Sequence, residues 1–194
     1  TLSQSDLQIL VRELQEFLVT LGEQCGGHLA SNLGVIELTL ALHLVFDTPQ
    51  DKLVWDVSHQ CYIHKLLTGR RHDLFSIRQY NGLSGFAKMA ESPHDSFGAG
   101  HAGTALSAAL GMAHARDLAE DDHAVISIMG DGTLSNGMVF EALNNIGNLN
   151  TNFICILNDN DMSISKPTGS LATYRSEEHT SELQSPCNLV CRLL

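Results

Sequence analysis

Two short apolar runs, Ala124–Met129 and Phe153–Leu157, are rich in β-branched residues, carry no charge and end in turn residues. Both have the pattern of buried strands. Between them the stretch Asn136–Asn148 sets Met138, Phe140, Leu143 and Ile146 at spacings that can share one helical face. Strand, helix, strand is a βαβ crossover. It predicts parallel strands whose C-terminal ends lie on one edge, about 5 Å apart if they are neighbours.

The same reading extends upstream. Leu7, Leu10, Val11, Leu14, Phe17, Leu18 and Leu21 form a stripe that predicts a helix over Asp6–Gln24, capped by Ser5 and stopped by Gly26-Gly27. A second, mostly buried helix is predicted over Gly34–Leu44, and a short strand over Lys52–Val57 that empties into Ser58-His59-Gln60. Ile63–Leu67 predicts one or two helical turns ending at Gly69. The stretch Tyr80–His101, with Gly82, Gly85, Pro93, Gly98 and Gly100, has little periodicity. A loop of that length in a compact domain usually serves function. Gly103–Leu118 predicts a helix rich in small residues, able to pack closely on a sheet. The order α, α, β, α, loop, α, β, α, β predicts an α/β fold with a parallel sheet flanked by helices.

Candidate chemistry gathers where the strands end. Gly130-Asp131-Gly132 closes one run and Asn158-Asp159-Asn160 the next. Asp131 and Asn160 are hard oxygen donors, and open α/β sheets bind ligands beyond their strands' C-terminal ends. Such a pair can hold Mg²⁺ together with a phosphate, with Gly132 leaving room at the start of the following helix. The plain alternative is two ordinary turn residues. Gly98–Gly103 matches G-x-G-x-x-G, yet the polar, proline-containing stretch Glu91–Ser96 precedes it where a dinucleotide site needs a strand. The better reading is a glycine-rich loop feeding a helix N-terminus, suited to an anion. Histidines 28, 59 and 101 fall beside glycines or a strand end, whereas His43 and His64 fall in helical stretches.

At 194 residues the chain is expected to form one domain. A net charge of −11 argues against nucleic-acid binding, and no apolar stretch is long enough to span a membrane. No secretory signal is seen. Cys25, Cys61 and Cys155 are scattered, which fits reduced, buried thiols in a cytoplasmic setting. The last twenty residues, Arg175–Leu194, stand apart: Arg-Ser-Glu-Glu-His-Thr-Ser-Glu-Leu-Gln-Ser matches, codon by codon, a sequencing-library adapter arm. Residues 1–174 are therefore expected to be the native fragment and 175–194 adapter read-through.

Gly27-His28-Leu29-Ala30-Ser31, Trp55-Asp56-Val57-Ser58-His59-Gln60, Gly69-Arg70-Arg71, Gly100-His101, Gly130-Asp131-Gly132 and Leu157–Ser165 together resemble the N-terminal part of the 1-deoxy-D-xylulose-5-phosphate synthase family. The resemblance runs in order from about Leu2 to Tyr174. It implies a truncated thiamin-diphosphate-binding fold from a homodimeric transferase. That enzyme condenses pyruvate with glyceraldehyde 3-phosphate, releases CO₂ and gives 1-deoxy-D-xylulose 5-phosphate. The resemblance also implies that Asp131, Asn160 and the main-chain carbonyl of Met162 bind Mg²⁺, and that Gly132 and Thr133 contact the diphosphate. His59, Gly100, His101 and Ala102 would lie along the cofactor, and His28 would face the substrate. Ala102 departs from the family, which usually has a hydroxyl residue there. Later domains supply the remaining catalytic groups, so the fragment alone is expected to be inactive. Competing readings are another thiamin-diphosphate enzyme such as a transketolase, a nicotinamide oxidoreductase using Gly98–Gly103, and a non-catalytic binding module.

Overall fold

The computed structural model describes residues 2–98, 100–147 and 151–159. Asn160, Met162 and the expected boundary after Tyr174 lie outside the described residues.

Helix α1 spans Gln4–Cys25 and is capped by Ser3, not by Ser5. The Ser3 hydroxyl accepts the Asp6 N–H at 3.2 Å while the Asp6 carboxylate accepts the Ser3 N–H at 3.0 Å. Only Ser3 has an acidic residue three positions on, which closes this reciprocal capping box. A five-residue helix α2, Leu29–Leu33, follows, and α3 then runs Ile36–Val45. Strand β1, Lys52–Trp55, stops before the expected Val57 because Val57 and Ser58 adopt φ values of 58° and 66°, which end strand geometry. Helix α4 covers Tyr62–Lys65, and a bend at Gly69 (φ 91°) leads into a 3₁₀ turn over Arg71–Ser76. The expected long loop follows. Beyond it come α5 (Ala105–Leu118), β2 (Val125–Gly130), α6 (Gly137–Ile146) and β3 (Ile154–Asn158).

The three strands form a parallel sheet in the order β1-β2-β3. One face packs on α5 and α6, where Ala105, Leu106, Ala109, Ala113, Val139 and Ala142 meet Val54, Val125, Met129 and Cys155. The small residues of α5 let helix and sheet approach closely. On the other face Leu42 of α3 joins Leu53, Trp55, Ile126, Ile128 and Ile156. Leu14, Leu18 and Leu21 of α1 seal a second cluster with Ile36, Leu40, Tyr62 and Ile63. Burying each such side chain is worth about 1.5–3 kcal/mol.

Two expectations need correction. Helix α6 buries Val139 and Ala142, while Met138 and Phe140 are exposed. Its stripe is set by contact with Gly103, where a Cβ would lie 3.4 Å from Val139 Cγ2. Of the cysteines, Cys61 and Cys155 are buried but Cys25 is half-buried, its thiol donating to the Phe75 carbonyl at 3.1 Å.

Candidate active site at the C-terminal edge of the sheet

The register pairs Gly130 with Asn158, so β2 and β3 end side by side. Asp131, buried, opens a 3₁₀ turn over Asp131–Thr133. That turn is wound tightly: the Thr133 hydroxyl donates to the Gly130 carbonyl at 2.8 Å and the Asn136 amide to the Thr133 carbonyl at 3.1 Å. Among the described residues nothing fills the space there: a Cβ on Gly130 or Gly132 would meet no described atom within 4 Å. At the end of β3 the buried Asn158 Oδ1 has no hydrogen-bond partner among the described residues. A buried polar atom left open beside empty space is where a ligand group belongs. The hard-oxygen donor Asp131 beside such a space suits a divalent cation and a diphosphate. Among the described residues no group of three or more His, Cys, Asp and Glu is gathered as metal ligands. Asp131 is the described member of the expected magnesium set.

The end of β1 contributes a second carboxylate, Asp56, which is 1% exposed. It accepts the Gly103 N–H at 3.0 Å and the Ala105 N–H at 3.1 Å. The start of α5 is therefore already occupied by an anion from the chain itself, and it is not the open anion site the glycine loop promised. No strand immediately precedes Gly98 among the described residues, so the nicotinamide reading loses both of its structural requirements. Asp56 instead fastens the glycine loop to β1. At Gly103 (φ 82°) a Cβ would stand 2.8 Å from Asn136 Cβ, so only glycine lets this loop lie against the start of α6.

Beside this edge the His28 and His59 rings stand edge to face, with centroids 5.0 Å apart and planes at 75°. Phe86 is 6.5 Å from His28, and a Cβ on Gly100 would sit 3.7 Å from the Phe86 ring. His59 Nδ1 is buried with no partner among the described residues. Burial, reinforced by the His28 ring, pushes His59 below the ordinary imidazole value, with Asp56 pulling weakly the other way. The expected residues His28, His59 and Gly100 thus come together around Phe86. Asp131, Gly132 and Thr133 approach the same loop through Asn136 and Gly103. His101 and Ala102 are exposed on that loop.

Reasoning from the sequence missed Asp56, although the signal was there: it follows an apolar run just as Asp131 does. It also missed Asp95, a buried hub for the long loop. Its carboxylate accepts two Arg70 N–H groups at 2.7 Å, His64 Nε2 at 3.1 Å and the Lys88 N–H at 2.7 Å. Burial alone would raise the Asp95 carboxyl, but those donors hold it well below the usual carboxylate range. Alongside, Lys65 donates to Glu91 at 2.6 Å. Nothing in local periodicity announces partners so far apart in the chain.

The chain is similar to known proteins along most of its length. The family profile described as 1-deoxy-D-xylulose-5-phosphate synthase matches residues 1–189. Proteins of that name from Dehalococcoides mccartyi and Caldanaerobacter subterraneus subsp. tengcongensis are 59% identical over 173 residues and 57% over 175. These alignments cover 89% and 90% of this chain but only 27% and 28% of the relatives. The Alkaliphilus oremlandii protein of that name is 52% identical over 184 residues, 95% of this chain and 30% of its own length. The chain thus spans under a third of the curated relatives it matches. A solved structure from Mycobacterium smegmatis, described as a thiamin diphosphate-dependent enzyme, aligns with a TM-score of 0.41 at 17% identity, covering 76% of this chain and 25% of that one. That likeness is too slight to carry an argument.

Proposed function

This chain belongs to the 1-deoxy-D-xylulose-5-phosphate synthase family, and from that premise we propose that it is the N-terminal, cofactor-holding part of a homodimeric cytoplasmic transferase. The whole enzyme would condense pyruvate with glyceraldehyde 3-phosphate, releasing CO₂ and giving 1-deoxy-D-xylulose 5-phosphate. In this reading the product opens the non-mevalonate isoprenoid route and feeds thiamin and pyridoxal synthesis. No helix among the described residues is long and apolar enough to cross a membrane.

When bound, thiamin diphosphate supplies a nucleophilic carbon and an electron sink that no side chain here offers. The chain's own residues bind and orient. Asp131, the Asn160 side chain and the Met162 carbonyl would hold Mg²⁺ against the diphosphate, and Gly132 and Thr133 would touch its oxygens. Gly100, His101 and Ala102 would line the cofactor through their backbone, since Ala102 has no hydroxyl to offer. His59, held neutral by its burial, has an open Nδ1 for one hydrogen bond along the cofactor. His28 would face the substrate, donating a proton or polarising a carbonyl.

The observation that supports this reading is the parallel register of Gly130 with Asn158, which sets Asp131 and Asp159 just beyond adjacent strand ends. Titrating the chain with thiamin diphosphate, followed by the fluorescence of its only tryptophan, Trp55, tests it. A saturable signal is expected with Mg²⁺, and its loss is expected without the metal or in Asp131→Ala. Binding that ignores both changes refutes the metal–diphosphate site. The fragment alone is proposed to be inactive, which measurable synthase turnover by it would contradict. Residues 175–194 are proposed to be adapter read-through, and a clean genomic read continuing through them would refute that.

A further inference from the structure

Asn32 sits on α2, is fully buried, and has no part in the motifs that suggested the chemistry. Its amide nitrogen donates to the His28 carbonyl at 2.8 Å and to the His59 carbonyl at 2.9 Å, while its oxygen accepts the Tyr62 N–H at 2.9 Å. One side chain thus ties together the start of α2, the turn after β1 and the start of α4. We propose that Asn32 is a positioning residue that fixes the spacing and mutual orientation of the His28 and His59 imidazoles. This rests on the reading of those two histidines as active-site groups.

Three observations support the assignment. A helix of five residues cannot hold its own geometry, so bonds from α2 to neighbouring segments must help to fix the backbone at His28. All three bonds go to backbone atoms, one at the helix's own N-cap and two in other segments, and no other side chain of this size offers two donors and an acceptor in that arrangement. Leucine would fill the volume and bond nothing, and aspartate would set a carboxylate against two carbonyls. The packing behind is also rigid. Gly27 (φ 120°) passes so near Tyr62 that a Cβ would stand 2.6 Å from its hydroxyl oxygen. His28 is therefore pinned from one side by close approach and from the other by Asn32. The 5.0 Å ring separation is the consequence.

Three variants decide the matter: Asn32→Ala, Asn32→Asp (which keeps the acceptor for Tyr62 and removes both donors) and His59→Ala. In this chain, the ring-to-ring nuclear Overhauser contact between His28 and His59 is expected to vanish in both Asn32 variants. The signals of His123, which follows α5, should stay unchanged. In the full-length enzyme carrying this segment, both Asn32 variants should lower kcat by about 10²-fold, the scale set by a misplacement of about 1 Å. The Kd for thiamin diphosphate should rise no further than it does in His59→Ala, a bound that general loosening of the fold would not respect. If Asn32→Asp keeps both the ring contact and the wild-type kcat while His59→Ala is crippled, the inference falls and the family reading stands. If His59→Ala is itself as active as wild type, the reading of the histidines falls instead. Should both Asn32 variants unfold, the unsubstituted chain still decides: exchange of either Asn32 amide proton as fast as that of exposed Asn81 overturns the clamp.

Discussion

Two clusters of buried polar groups in this chain are completed to different degrees. Around Asp95 the carboxylate has four donors from Arg70, His64 and the Lys88 backbone, and the neighbouring Lys65 meets Glu91. At the C-terminal edge of the sheet, His59 Nδ1 and Asn158 Oδ1 are buried with no partner among the described residues, and a Cβ on Gly130 or Gly132 would meet no described atom within 4 Å. Burying a polar atom costs free energy unless something bonds it. A carboxylate whose oxygens are all engaged has its partners within the fold and holds a loop in place. Atoms left open at a strand edge are consistent with partners that arrive from outside. The first cluster is architecture, and the second is where binding is proposed.

The largest effect should come from breaking the Asp95 cluster, whose carboxylate is fully engaged although Arg70 Nε has no partner among the described residues. Asp95→Ala leaves the buried Arg70 guanidinium without its carboxylate, and removing one partner of a buried pair costs about 3–5 kcal/mol. Urea unfolding should show that loss as a lower midpoint at an unchanged slope. His59→Ala should change the midpoint by less than a third as much, because His59 Nδ1 has no described partner to lose. Equal losses would erase the distinction between the two clusters.

Asp56→Ala should fall between them. It orphans the Gly103 and Ala105 N–H groups, whose bonds to the carboxylate are 3.0 and 3.1 Å, at a cost of about 1–3 kcal/mol. Hydrogen exchange at those two amides should accelerate before exchange in β2 does. Should the β2 amides open first, Asp56 belongs to the core, and the glycine loop has another anchor.

What the sequence made legible follows from how far each signal reaches. The βαβ unit was readable because Ala124–Met129 and Phe153–Leu157 are short apolar runs ending in turns, and a parallel arrangement follows from that order; that the two strands are neighbours is what the structure adds. The face of α6 was not, because contact with Gly103 turns Val139 inward and leaves Met138 outside. The cap of α1 moved two residues, since Ser3 and Ser5 look alike until Asp6 is counted from each. Of the candidate site, His28, His59, Gly100 and Asp131 were found as residues beside glycines or strand ends. Asn32 and Asp95 were not, because the partners that tie them to other segments, His59, Tyr62, His64 and Arg70, lie 25 to 31 residues away and leave no trace in local pattern.

Acid should weaken the completed cluster by a smaller amount. His64 gives its Nε2 proton to Asp95, so its bare Nδ1 accepts from His43 Nε2 at 2.9 Å, and both rings are neutral. Burial, then the nearby His64 and His94, pushes His43 from its ordinary 6.5 down to about 4. In that window the unfolded chain binds the proton and the folded chain does not, so stability falls as pH drops from 6.5 towards 4. Asp95 adds a loss of the same sign only below 3.8, its ordinary value. The His43 ring is half-exposed, and water screens part of the effect. His43→Gln, which can still donate to His64, should reduce the fall of the urea midpoint between pH 6.5 and 4, leaving the part due to His64 and His59, whose imidazoles burial also pushes down. An unchanged slope would shift the titration to other groups.

The smallest effect sharpens the comparison from its open side, because an unpartnered buried atom does not by itself mark a site. Ser127 Oγ, at the centre of β2, is buried and without a partner among the described residues, just as Asn158 Oδ1 is. The difference is place. Ser127 lies between Val54 and Cys155 in register, inside a close-packed sheet, whereas Asn158 ends its strand opposite Gly130. No ligand can reach the first, so its hydroxyl is simply an uncompensated polar group. Ser127→Ala should therefore raise stability by up to about 1 kcal/mol and leave the thiamin diphosphate titration unchanged. Asn158→Ala should be near neutral for folding and weaken that titration. If the two substitutions behaved alike, position at the strand edge would carry no information, and the open atoms there would be packing defects rather than ligand contacts.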